Sequence, residues 1–184
     1  MEALKLPKEI YTIEDILALP EGKRAELLDG KIYYMASPSE MHQRILGELF
    51  LTIGNHIKRK GGPCRVYPAP FAVYLNDDRD YLEPDVVVVC DPGKLKEDGC
   101  HGAPDWVLEI VSPSSASLDY IRKAATYAEA GIREYWIVDP HKKTINVYNF
   151  GDEVYSPTQH RFDEQVKVGI YEDLVIDFAQ ILRL

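Results

Sequence analysis

The chain has 184 residues, 46% of them hydrophobic, and 30 Asp and Glu against 21 Lys and Arg give a net charge of -9. That size suits one globular domain with a full hydrophobic core. No stretch approaches the roughly 18 apolar residues of a membrane span, and MEALKLPKEI lacks the apolar core of a secretory leader, so a cytoplasmic protein without a membrane segment is expected. An acidic balance argues against a protein that coats nucleic acid by neutralising phosphates, and argues less against an enzyme whose metal site needs carboxylates.

In chain order, TIEDILALP reads as a short helix capped by Thr12, with Asp15 as box partner and Pro20 beyond its end. RAELLDGKIYYMA divides at Asp29-Gly30 into a β-hairpin. Ser37 or Ser39 caps a long helix whose apolar face carries Ile45, Leu46, Leu49, Ile53 and Ile57, and Gly61-Gly62 stops it. CRVYPAPFAVYL, DVVVVC and WVLEIV read as strands. Ser114, Ser115 or Ser117 opens a second helix through SLDYIRKAATYAEAG, with Gly131 as its C-cap. REYWIVD and KTINVYNF follow as strands around a turn at Pro140, and the tail holds short strands near VYSPT and LVI before a last helical turn. The sum is a mixed α/β or α+β core, a central sheet flanked by the two main helices.

Cys64, Cys90 and Cys100 form no CxxC pair, and their number is odd. Reduced thiols are expected, with neither a disulfide framework nor a zinc site at Cys100-His101.

Two apolar strands each carry one carboxylate: Asp85 opens DVVVVC, and Glu109 sits inside WVLEIV. An ionised carboxylate in such a strand must be paired, metal-bound or at an open sheet end. Singly, either residue reads as structural, with Asp85 bonded to nearby backbone and Glu109 paired to an arginine. On neighbouring strands the two would face each other and could share a divalent ion, for which hard oxygen ligands suit Mg²⁺ or Mn²⁺. On the second helix, Leu118, Ile121, Ala125 and Ala128 form a stripe expected to be core, and Tyr120, Lys123 and Tyr127 form another, where Lys123 reads equally as a solvated amine beside aromatic rings.

PDVVVV, VLEIVSPSS and D-Y-I-R-K-x3-Y-x2-A-G-I-R-E-Y-W-I-V-D-P, with RAELLDGKIYYMASPSEMHQRI upstream, resemble the Uma2 family of the PD-(D/E)xK nuclease superfamily over about Tyr11 to Phe150. The resemblance implies a restriction-endonuclease-like core, here a single domain over 1–184 with an N-terminal helical extension over 1–20. It implies that Asp85 and Glu109 bind Mg²⁺ or Mn²⁺ together with the backbone carbonyl of Ile110. The superfamily's signature lysine would stand at position 111, which is Val111; in the Uma2 variant a lysine of the following helix takes that role, and Lys123 matches it. Glu26 matches an upstream acidic residue that completes such sites, and reads equally as an exposed hairpin charge. His42 and Gln43 match a family pattern as well. Because hard cations prefer oxygen, His42 is expected to pack at the helix start or contact substrate rather than ligate metal. Lys58, Arg59, Lys60, Arg122 and Arg133 are candidate phosphate contacts and read equally as solvated surface.

The implied function is a Mg²⁺-dependent DNA endonuclease that hydrolyses phosphodiester bonds in a bacterial cytoplasm. The alternative is a nuclease-like fold that binds nucleic acid or a protein without cutting, which Val111 and the acidic surface favour. A third reading is a metal hydrolase of another phosphoester. Twelve tyrosines and segments such as TINVYNF permit a homodimer.

Overall fold

The computed structural model describes residues 9–76, 79–113, 115–151 and 157–181. Helix α1 (Ile13–Leu17) starts where the Thr12 N–H donates to the Asp15 carboxylate at 2.9 Å. The hairpin follows as β1 (Ala25–Leu28) and β2 (Lys31–Tyr34); Asp29 and Gly30 take φ of 48° and 70°, a turn whose twist matches that of the strands. Helix α2 (Glu40–Lys60) begins at Ser39, whose hydroxyl accepts the His42 N–H, and ends at Gly61 with φ 69°. Its apolar face is buried as its spacing predicts.

The run expected as one strand through CRVYPAPFAVYL is two, β3 (Arg65–Pro68) and β4 (Val73–Leu75), separated by the cis Ala69-Pro70 peptide. Then come β5 (Asp80–Leu82), β6 (Val86–Val89), β7 (Leu95–Lys96), β8 (Gly99–His101) and β9 (Trp106–Ile110). The second helix is π-helical over Leu118–Lys123 and continues as α3 (Ala124–Ala130), which ends at Gly131 with φ 82°. Beyond it lie β10 (Glu134–Asp139), β11 (Thr144–Asn149), β12 (Thr158–Arg161), β13 (Gln165–Lys167), β14 (Val175–Asp177) and α4 (Phe178–Ile181). Ser114 and most of VYSPT lie outside the described residues.

Where one central sheet was expected there are two of six strands each. The central sheet runs β12-β11-β10-β9-β6-β3 and the front sheet β2-β1-β5-β4-β8-β7, with β13 and β14 pairing separately. In the central sheet β9 and β10 are parallel, so the chain must cross over between them, and the π segment with α3 is that crossover. Side chains alternate along these strands. Val86, Val88, Trp106, Leu108, Ile110 and Trp136 join α2 in one core. Val87, Val107, Val111, Tyr135 and Ile137 join the crossover helix and the front sheet in the other. Glu109 has the odd-numbered parity, so it points into the space between central sheet, front sheet and crossover helix.

Two expectations are corrected by this packing. Cys64 and Cys90 are joined in a disulfide, because the register Arg65↔Val89 continued by one step sets them opposite each other. Strand pairing decides this, and neither their number nor their spacing reveals it. Cys100 stays free and buried, its thiol pushed up to about 11 by that burial. On the second helix the expected core stripe is reversed: Ile121 is 69% exposed, whereas Lys123 and Tyr127 are buried. A π-helix spaces its hydrogen bonds five residues apart, so Asp119, Lys123 and Tyr127 turn inward in place of the stripe that an α-helical period brings there.

Glu134 ties the C-terminal segment to the central sheet. Wholly buried, it accepts hydrogen bonds from the Trp136 indole at 2.6 Å and from the N–H groups of Gly169 and Ile170 at 2.9 and 2.8 Å. Glu134→Ala leaves three donors without an acceptor and is expected to cost about 3 kcal/mol or more in urea unfolding, with Glu134→Gln costing less because its amide oxygen still accepts.

Candidate active site

The register Val86↔Leu108 continued by one step places Asp85 opposite Glu109, as anticipated for neighbouring strands. Asp85 Oδ2 accepts the Ile110 N–H at 2.7 Å. Glu109 lies inside the layers, and Lys123 meets it from the crossover helix with Nζ 2.8 Å from Oε1. The same ammonium lies 2.9 Å from both Glu26 oxygens and 3.5 Å from Asp119 Oδ1. Tyr127 donates its hydroxyl to Glu109 Oε1 at 2.8 Å. Exposure of Lys123, Glu109, Glu26 and Asp119 is 3%, 4%, 3% and 2%, so the exposed hairpin charge and the solvated amine are both excluded. Val111 faces the apolar core, and the ammonium that meets Glu109 is that of Lys123.

His42, in the first turn of α2, sets Nε2 3.1 Å from Asp85 Oδ2. Together with Gln43 and Arg122 it lines a cleft of about 780 Å³ that opens over Glu26, Asp85 and Glu109. Lys58, Arg59 and Lys60 sit at the other end of α2, about 25 Å away by helix rise, and Lys60 pairs with Asp173 at 2.7 Å. Arg133 pairs with Asp105 at 3.2 Å. These four do not line the cleft, and of the expected phosphate contacts Arg122 alone does so.

Sequence reading missed Asp119 as a site residue, and also the wall formed by Arg24 and Glu83. Arg24 Nε donates to Glu83 Oε2 at 2.8 Å, Tyr81 donates to Glu83 Oε1 at 2.8 Å, and the Glu83 N–H donates to Glu26 Oε1 at 3.1 Å, which fixes Glu26. The signal for Asp119 was its spacing: 119, 123 and 127 form an i, i+4, i+8 row.

Four carboxyl groups here face one lysine and one histidine. Burial, opposed by Lys123 and reinforced by the acidic neighbours, holds the Glu109 pKa well above the usual carboxylate range. The same causes push Asp119 up to about 6. For Lys123 burial lowers the pKa, but the three carboxylates outweigh it and raise it well above that of a free lysine, so it is a fixed cation. Among the described residues no three His, Cys, Asp or Glu side chains converge closely enough to close a metal shell by themselves. The donor set nevertheless fits a hard divalent ion that keeps part of its water. Asp85 is partly exposed, and Glu109 Oε2 makes no hydrogen bond among the described residues.

The model of the Uma2 family, described as "Putative restriction endonuclease", matches residues 13–178. The chain belongs to the Uma2 family. The Uma2 chain is 30% identical over 143 residues to the uncharacterized protein slr1290 of Synechocystis sp., covering 76% of this chain and 74% of that one. Its fold matches the crystal structure of a "putative nuclease belonging to DUF820" from Anabaena variabilis with a TM-score of 0.76, at 22% identity, over 92% of this chain and 96% of that one. Within this Uma2 fold no helix among the described residues is long and apolar enough to cross a membrane.

Because Asp119 holds its proton to higher pH folded than unfolded, its contribution to stability is full below about pH 4 and is lost as pH rises toward about 6. Asparagine does not titrate. The stability of Asp119→Asn relative to wild type, measured by urea unfolding with chelator present, is therefore expected to rise between pH 4 and pH 6.5.

Proposed function

We propose that this Uma2 chain is a divalent-metal-dependent endonuclease that hydrolyses phosphodiester bonds in DNA. The observation that carries the reading is Asp85 facing Glu109 across paired strands while a buried lysine from the crossover helix touches Glu109, at the floor of an open cleft. Asp85, Glu109 and the carbonyl of Ile110 would hold Mg²⁺ or Mn²⁺. When bound, the ion supplies Lewis-acid charge for the phosphoryl oxygens and lowers the pKa of the attacking water.

Lys123 is no base, since its neighbours raise its pKa. Its fixed charge holds Glu109 and Glu26 in place and offsets the negative charge that grows on the phosphoryl group. Tyr127 keeps its proton and donates it to Glu109, which orients the other Glu109 oxygen toward the cleft. Arg122 and Gln43 line the cleft walls and would meet the substrate backbone. Glu109 must shed a tightly held proton to act as a ligand, so activity rises with pH until that group is ionised. A cleft rich in carboxylates repels DNA by itself, and a bound cation removes that conflict.

Nicking of supercoiled plasmid in Mg²⁺ or Mn²⁺ tests the reading. Wild type is expected to cut only with the ion, and Asp85→Ala and Lys123→Ala to fall by about a hundredfold or more. Equal nicking by all three would assign the activity to a contaminant. No nicking with either ion would leave the cleft a site that binds without cutting.

A further inference from the structure

The oxygens of Asp85 and Glu109 do not account for His42. The Ser39 hydroxyl accepts the His42 N–H at 3.2 Å, which holds this residue at the mouth of the cleft. Its side chain is 12% exposed, and Nε2 stands 3.1 Å from Asp85 Oδ2. The Ile110 carbonyl also lies within hydrogen-bonding reach of the ring. Asp85 and the Ile110 backbone are the groups that the ring faces. The other nitrogen, Nδ1, is buried without a hydrogen-bond partner among the described residues. A histidine placed for packing alone would satisfy its buried nitrogens. Here the nitrogen that reaches a partner is the one beside the Asp85 carboxylate.

We propose that His42 Nε2 is itself a ligand of the divalent ion, so that His42, Asp85 and the Ile110 carbonyl form a mixed nitrogen and oxygen set. Such a set favours a first-row transition ion such as Mn²⁺ over Mg²⁺. Mg²⁺ is a hard ion that takes carboxylate, carbonyl and water oxygens, whereas imidazole adds affinity for transition ions of the same charge. Without the ion, Nε2 stands beside the Asp85 oxygen that the cation would share. The proposal rests on the endonuclease reading for the existence of an ion at Asp85 and extends it to the choice of ion.

Titration calorimetry with MnCl₂ and with MgCl₂, without nucleic acid, compares wild type, His42→Ala, His42→Gln and Asp85→Asn after circular dichroism has shown each to be folded. Wild type is expected to bind Mn²⁺ more tightly than Mg²⁺. His42→Ala and His42→Gln should weaken Mn²⁺ binding by about 10- to 100-fold and Mg²⁺ binding by less than about threefold. Pulsed electron paramagnetic resonance of Mn²⁺ on the wild-type protein, which needs no variant, should show coupling to one imidazole nitrogen. Binding abolished by Asp85→Asn but unchanged by both His42 variants, with no nitrogen coupling, overturns the proposal and leaves the ion site standing. Wild type that takes up neither ion, or Asp85→Asn that binds both as wild type does, overturns the proposal and the metal-dependent reading together.

Discussion

The ammonium of Lys123 is buried, and a buried ammonium without partners costs several kcal/mol. Its three partners come from three places: Glu26 from the front sheet, Glu109 from the central sheet and Asp119 from the crossover helix itself. The amine therefore dictates how these layers sit against one another, since moving any of them strands a charge. The arrangement also stops short of neutrality, because Asp85 adds a fourth carboxyl group that Lys123 does not reach. Burial above all, with that surplus beside it, raises the Glu109 pKa.

Net charge and local charge pull in different directions in this molecule. An excess of acidic residues over the whole chain does not prevent a polyanion from being handled, provided the acid that faces it is balanced where contact occurs. The basic cluster at Lys58, Arg59 and Lys60 does not supply that balance. It closes the far end of α2, where cations favour the negative end of the helix dipole. Along the cleft the basic side chains are Lys123 beneath and Arg24 and Arg122 at the walls.

Much of this was legible in the sequence for particular physical reasons. Asp29-Gly30 announced a hairpin because only such residues take both left-handed φ values easily, and Ile45 to Ile57 announced α2 by period. Asp85 and Glu109 stood out because each interrupts or opens a run too apolar to hold a lone charge. The rest of the front sheet beyond that hairpin was less legible, because strands such as Asp80–Leu82 and Gly99–His101 are too short for alternation to show. The Cys64–Cys90 bond was hidden because it depends on the register of strands separated in the chain. Asp119 escaped because an α-helical period was assumed where the backbone is π-helical, and the same assumption turned the wrong side of the helix inward.

The π-helical stretch makes the site sensitive to chain length in a way that side-chain identity does not capture. Each residue of a regular helix turns the chain by about 100°. Removing one residue from the solvent-facing part of Leu118–Lys123 would let the stretch relax to ordinary α geometry, with no contacting side chain altered. Asp119 and Lys123 would then stand three positions apart instead of four, still on one face of the helix, and the ammonium would shift by a fraction of a turn against Glu26 and Glu109. Exchanges at exposed Ile121 preserve the count and hence the phase of the turns. Substitution on the outer side of that helix is thus expected to be tolerated more readily than deletion.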